Sequence, residues 1–301
     1  MTLTTMQQMI LIKALIAVIG VAGVYILTGL TGMFSLGQAS FMAIGAYASG
    51  ILVKLYKWPF ELAIVAAVVI AVLIGLVVGL PTVRLRRDYI SLITLGFGEA
   101  FTALLNKMTK FTGGASGFYG IPKKVTLELV IWSVVVCLFL VIMFKNSKYG
   151  RQCIAIRSDE LAAKAMGINV PKVKLIAFLT SVAMVAYSGC MYAFFITYVD
   201  PSLFGWKRSA DWVIMVFFGG VNSLTGSVLS AFFLTSLPEF LRSLAQYRYI
   251  IYAVLVLLII NFRPTGLLGE FELSPKGIKS AIAKVRSWIN KGKTTAKGGN
   301  A

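Results

Sequence analysis

Two short strings in the 301-residue chain invite a catalytic reading. Gly114-Ala115-Ser116-Gly117 has the GxSG spacing that can present a serine nucleophile within a membrane. Such a serine needs a neighbouring base, and the chain has no histidine, so this reading fails. Gly96-Phe97-Gly98-Glu99 resembles the GxGD string of carboxylate-pair proteolysis. That chemistry needs two carboxyls sharing a proton, and no second acid is visible in the interior of a span, Glu61, Glu128 and Glu239 standing at segment ends. A G-x-x-x-x-G-K-[ST] phosphate loop is absent from the sequence, so ATP hydrolysis of the P-loop kind is excluded for this chain. Cys137, Cys153 and Cys190 lie far apart without C-x-x-C spacing and read as small apolar residues. No metal ion or cofactor is expected.

Glu99 keeps its interest, because an ionisable group inside an apolar segment is costly and marks a functional candidate. It serves either a transport pathway or helix pairing, or else it sits near a span end tied to a backbone donor. Gln38 poses the same choice, with an interhelical hydrogen bond as the plainer option. Gly75 and Gly79 form a GxxxG that reads as close helix packing.

The elements that hold these residues follow from composition. The chain is 58% hydrophobic and 13% charged, with mean hydropathy +0.85, against about 25% charged for an average soluble domain. A membrane helix takes about 20 apolar residues. Apolar segments fall at 10–28, 35–55, 60–80, 89–105, 127–144, 175–195, 212–240 and 250–261. The fold class expected is all-α, a polytopic bundle of about eight spans in the cell membrane. The segment 212–240 is too long for one span and is interrupted by Gly219, Gly220, Asn222, Ser223, Thr225 and Gly226. It is expected to be broken or re-entrant. The uncharged first nine residues and the Lys13 that follows suggest a retained first span rather than a cleaved signal.

Net charge is +18, from 29 Lys and Arg against 11 Asp and Glu. In a membrane protein such an excess reports cytoplasmic loops and anionic lipid rather than nucleic acid. Arg84, Arg86 and Arg87 in one loop, and the basic loop 145–174, are both assigned to the cytoplasm. Lys107, Lys110, Lys123 and Lys124 then fall on the opposite side. The transmembrane domain is taken as residues 1–275. Beyond it, 276–301 reads as a cytoplasmic tail whose Ile278, Ala281, Ile282, Val285, Trp288 and Ile289 form an interfacial amphipathic helix before a disordered end. Delivery of that tail to the cytoplasm requires the broken segment to return outward. A weak internal repeat pairs GLTGMFSLG at 29–37 with GGVNSLTG at 219–226. Glycine-interrupted segments in two halves are a mark of inverted-repeat transporters, and a helix is expected to open after Gly37 and after Gly226.

Within the basic loop, Ser158 is placed to cap a helix of about two turns. Asp159 and Glu160 sit at its dipole-favoured start, Lys164 in its last turn and Gly167 at its stop. Leu161, Ala162, Ala165 and Met166 make a small apolar face. Such a helix needs a surface to dock on, either a partner protein or its own bundle.

Several ordered stretches carry a resemblance over most of the chain: GLTGMFSLGQASFMAIGAYAS (29–49), GLPTVRLRRDYISLITLGFGE (79–99), TGGASGFYGIP (112–122), GRQCIAIRSDELAAKAMGINVPKVKLIAF (150–178) and FRPTGLLG (262–269). The chain resembles the permease subunits of branched-chain amino acid ABC importers. One departure is GGVNSLTG, where the family usually has a string closer to GGLGSLAG.

The resemblance implies a second related permease, two cytoplasmic ATP-binding subunits, an extracytoplasmic binding protein, and an amino acid substrate such as Leu, Ile or Val. It makes the 158–167 helix a coupling helix, with Arg151, Arg157, Glu160, Ala163 and Gly167 on motif positions beside Asp159, Leu161 and Met166. The translocation path is expected along Ser35, Gly37, Gln38, Glu99, Gly113 and Gly226, with helix-start N–H groups favouring a carboxylate in transit. Alternatives are a permease of the same type for urea or short amides, an ion-coupled secondary carrier, or a channel or scaffold.

Overall fold

The structure is a computed structural model that describes residues 5–85, 87–240, 247–262, 266–267 and 269. The tail 276–301 lies outside the described residues. Twelve helical segments follow one another: α1 (Thr5–Tyr25, extended by a π-turn at Ile26–Leu30), α2 (Gln38–Lys54), α3 (Phe60–Thr82), α4 (Arg87–Lys107), α5 (Thr109–Thr112), α6 (Leu127–Asn146), α7 (Lys148–Ser158), α8 (Glu160–Ala165), α9 (Val170–Ile196), α10 (Trp206–Gly219), α11 (Leu224–Phe240) and α12 (Arg248–Phe262). A two-residue antiparallel pair, β1 (Phe118–Tyr119) with β2 (Tyr198–Val199), ties the loops at one end. The fold is the expected all-α bundle.

Among the described residues, five elements are long and apolar enough to cross a membrane: α1 with its π-turn, α3, α4, α6 and α9. The remaining expected spans are the 17-residue α2, the 15-residue α12, and the broken segment, which resolves into the α10–α11 pair. Burial sorts the long ones. The apolar windows of α1 and α9 are 78% and 61% buried, those of α4 and α6 only 22% and 28%. The core is therefore α1, α2 and α9, against which α3, α10 and α11 pack. Outward-facing Leu62, Val69, Leu73 and Val77 of α3, and Trp132, Phe139 and Met143 of α6, form an apolar coat that water would not support and lipid does. Gly75 and Gly79 face Val182 and Phe178 of α9, which is the close packing expected of them.

The two ends are chemically distinct. At one, the Arg87 guanidinium donates to the carbonyl oxygens of Ile156 and, at 2.9 Å, Arg157. The α3–α4 turn and the basic loop thus share one face, as the charge rule requires. At the other lie β1, β2 and Lys54, whose ammonium stands 4.6 Å over the Phe118 ring. Lys124 stands there 5.8 Å over Phe60, which gives one member of the outer basic cluster a cation–π partner.

Two expectations about helix starts are corrected. The α2 helix does open after Gly37. The second helix of the repeat opens at Leu224, two residues before Gly226, because Ser223 captures the Gly226 N–H at 3.0 Å and so starts the helix early. In the basic loop the cap is Asp159, whose carboxylate accepts from the N–H groups of Leu161 (2.8 Å) and Ala162 (3.1 Å). Ser158 instead closes α7, its hydroxyl bonded to the Ile154 carbonyl. The capped helix, α8, has six residues, in keeping with the expected length of about two turns.

Candidate functional site

The two helix breaks meet in space. Residues 31–37 join the π-turn at the end of α1 to α2, and 220–223 join α10 to α11. The Tyr25 hydroxyl donates to the Asn222 carbonyl at 3.4 Å, and Phe34 stacks on Phe217 with centroids 5.4 Å apart. A Cβ on Gly29 would come within 3.0 Å of the Val221 carbonyl. At the second break Gly219 and Gly226 touch backbone to backbone: a Cβ on either would stand 2.1–2.2 Å from the other's carbonyl oxygen, so only glycine fits the crossing. The Leu267 N–H donates to the Phe218 carbonyl at 2.8 Å, and Gly266 lies against Gly220. The chain after α12 thus returns to the break.

Gln38 and Ser35 lie at this meeting point on the first break. Gln38 is fully buried, and neither its amide oxygen nor its nitrogen has a hydrogen-bond partner among the described residues; the Ser35 and Ser40 hydroxyls are in the same state. The plainer reading of Gln38, an interhelical bond, does not hold. Buried polar atoms without partners are costly and call for an explanation. Around them the α2 start is anchored: the Ala39 N–H donates to Ser209 Oγ at 2.8 Å, the Leu36 N–H to Thr94 Oγ1 at 3.2 Å, and Gly37 packs on the Thr94 carbonyl.

Glu99 is exposed on α4, and its carboxylate accepts from the Trp206 N–H at the start of α10, 3.4 Å away. A carboxylate there complements the positive end of the helix dipole. Gly113 lies apart, in the turn after α5, with φ +76° and its α-carbon against the Gly117 carbonyl. Sequence reasoning missed Asp211. Because α10 starts at Trp206 rather than Trp212, it takes in this acid, which is half-buried and interacts with Arg208 one turn earlier.

The basic loop is bonded to the breaks. The Arg157 guanidinium donates to the Gly29 carbonyl at the end of α1, and its aliphatic stem crowds Gly32. The Lys145 ammonium reaches the Tyr25 hydroxyl at 3.2 Å. Arg151 turns back onto the Asn146 carbonyl at 2.6 Å. Within the loop, α8 is fixed from below: Ala163 is 4% exposed and Glu160 pairs at 2.7 Å with Lys174, a lysine with no exposed side-chain surface. Gly167, at φ +80°, ends the helix, with its N–H on the Lys164 carbonyl and the Ile168 N–H on the Ala163 carbonyl, the paired bonds of a Schellman stop. Leu161 and Met166 point away, 80% and 84% exposed. One face of the helix therefore docks on its own bundle, and two large apolar side chains are left outward. Beside it, between the α3–α4 turn and α8, lies a cavity of about 900 Å³ lined by Arg84, Arg87, Glu160, Leu161 and Lys164 among others.

A family model described as the permease component of branched-chain amino acid transport systems matches residues 6–260. The chain belongs to this family. Among its relatives, the high-affinity branched-chain amino acid transport system permease protein LivM of Escherichia coli is 31% identical, over 87% of this chain and 69% of its own length. A probable LivM from Methanocaldococcus jannaschii is 25% identical over 74% and 72%, and the LivH permease of Escherichia coli 29% identical over 49% of each chain. No solved structure matches. As a member of this permease family the chain is a multi-pass membrane protein of branched-chain amino acid transport, a transport component rather than an enzyme.

Proposed function

We propose that the chain is the membrane permease subunit of an ATP-driven importer for branched-chain amino acids, working with a second related permease, two cytoplasmic ATP-binding subunits and an extracytoplasmic binding protein. The observation that carries this reading is the bonded link from an outward-facing helix to a pair of helix breaks. Leu161 and Met166 offer α8 to a partner, and α7 ends in Arg157, which holds the carbonyl that closes α1. Tyr25 then holds the second break. A push on α8 thus has a covalent and hydrogen-bonded route to the place where buried backbone and the unpartnered Gln38 meet, where broken helices in transporters expose polar groups to cargo.

In the cycle, nucleotide binding draws the ATP-binding subunits together, α8 moves with them, and the breaks shift so that the path opens to alternate sides. Ser35, Gly37 and Gln38 line it at the first break and Gly226 at the second. Glu99 braces α4 to α10, and Gly113 fixes the outer turn. With Ser223 taking its N–H, Gly226 contributes close helix approach rather than a free donor.

Purification in mild detergent followed by reconstitution tests the proposal: co-elution of an ATP-binding subunit and leucine uptake that requires ATP and the binding protein support it. Uptake by this chain alone on a proton or sodium gradient would assign it to the ion-coupled carriers instead, and titration of the binding protein with urea, short amides and amino acids fixes the cargo.

A further inference from the structure

At the outer half of the bundle, α1, α2, α9, α10 and α11 enclose a cavity of about 220 Å³ separate from the breaks, lined by Lys13, Met42, Tyr192, Arg208, Trp212 and Thr235 with Ile16 and Ala17. Its size is below the roughly 300–1,000 Å³ of sites for drug-sized ligands and suits a small metabolite. Its charge is one-sided. Two cations face it, no acid lines it, and neither cation forms an ion pair among the described residues. Lys13 is the one charged residue of α1, and an ionisable group within a span marks a functional candidate. The Arg208 guanidinium carbon stands 5.9 Å over the Tyr192 ring centroid, a cation–π contact that places the charged head beside α9. The nearest acid along the helix, Asp211, interacts with Arg208 but does not line the cavity. The lining also includes the apolar Met42, Ile16 and Ala17. Trp212, 1% exposed, is wedged against Gly20 and cannot swing in to fill the space.

Two like charges on one small cavity repel, and an anion between them relieves both; a guanidinium offers a planar fork that matches a carboxylate. We infer that this cavity binds a small apolar amino acid, its carboxylate between Lys13 and Arg208 and its hydrocarbon end on Met42, Ile16 and Ala17. The inference rests on the import reading and gives it an intake site at the outer face, ahead of the breaks.

The test is binding of radiolabelled leucine to the purified transporter complex in lipid nanodiscs without the binding protein, alongside ATP-driven uptake by the same preparation. Loss of one charge-assisted contact weakens binding by about tenfold or more. Arg208→Gln and Lys13→Gln are therefore each expected to raise the dissociation constant by about tenfold, with Arg208→Lys closer to the parent. Leucinamide is expected to compete about tenfold less well than leucine on the parent complex, and that preference is expected to shrink in Arg208→Gln. Lys13 is exposed, so Lys13→Gln keeps the test open if the Arg208 variant fails to fold. Unchanged leucine binding in both variants, or equal competition by leucinamide, overturns the site. So does the absence of leucine binding in a complex that still imports leucine with ATP. Absence of ATP-driven uptake in the parent complex would instead overturn the import reading.

Discussion

At the residue scale, α8 depends on one ion pair and one glycine. Lys174 is wholly enclosed and faces Glu160, whose side chain is 37% exposed. Stranding a buried ammonium costs about 3–5 kcal/mol, less where solvent screens the site. Glu160→Gln should accordingly lower unfolding stability by about 2 kcal/mol, and Glu160→Gln with Lys174→Met should recover most of it; thermal unfolding of the purified permease checks both. Gly167 has open space around its α-carbon, so Gly167→Ala meets no clash. It should cost only the left-handed backbone penalty, about 1–2 kcal/mol, and a larger loss would mean that the stop does more than turn the chain. Cys153 in α7 is fully buried and its thiol is pushed up to about 12 by burial. It stays neutral through pH 9, and maleimide should leave it unlabelled until the protein is denatured.

At the element scale, the helix breaks can be separated from ordinary helix glycines. A Cβ at Gly219 would stand 2.2 Å from the Gly226 carbonyl, while a Cβ at Gly96 meets nothing within 4 Å. Gly219→Ala should force α10 and α11 apart and abolish transport with reduced folded yield. Gly96→Ala, inside α4, should be neutral or stabilising by about 0.5–1 kcal/mol; size-exclusion profiles and uptake compare the two.

Much of this scale was legible in sequence. Apolar length marked the spans, glycines marked the broken segment, and Gly167 marked the helix stop. The misplacements have physical reasons. Ser158 and Asp159 are both good caps, and the choice fell to Asp159 because Ser158 was needed to finish α7. Gly226 looked like a helix opener, but Ser223 three residues earlier supplied the cap. Nothing in FRPTGLLG revealed that Gly266 and Leu267 return to the second break, since that contact joins residues distant in sequence. The orientation of α8 was also hidden. Six residues have no periodicity to read, and the buried member is small Ala163 while the large Leu161 and Met166 face out.

At the scale of the whole molecule, the account is a chain of contacts from one surface to the bundle's centre: Leu161 and Met166 outside, Arg157 on the Gly29 carbonyl, Tyr25 on Asn222, and Gln38 without a partner. Arg157→Gln removes the bond between the basic loop and the break while leaving α8 docked by Ala163 and Glu160. It should uncouple the importer, with ATP hydrolysis retained and uptake reduced about tenfold or more, as expected for loss of one charged hydrogen bond of about 1.5–3 kcal/mol. Equal loss of both activities would place Arg157 in assembly rather than in transmission.

The most direct measurement is cysteine crosslinking from α8 in intact cells. The three native cysteines are buried, so Leu161→Cys and Met166→Cys provide the reactive positions, with buried Ala163→Cys as the control. The account predicts that both exposed positions crosslink to a nucleotide-binding subunit and that the crosslink stops leucine uptake, while the Ala163 control gives little product. Failure of both exposed positions to reach such a subunit, in cells that still import leucine through this permease, would contradict it.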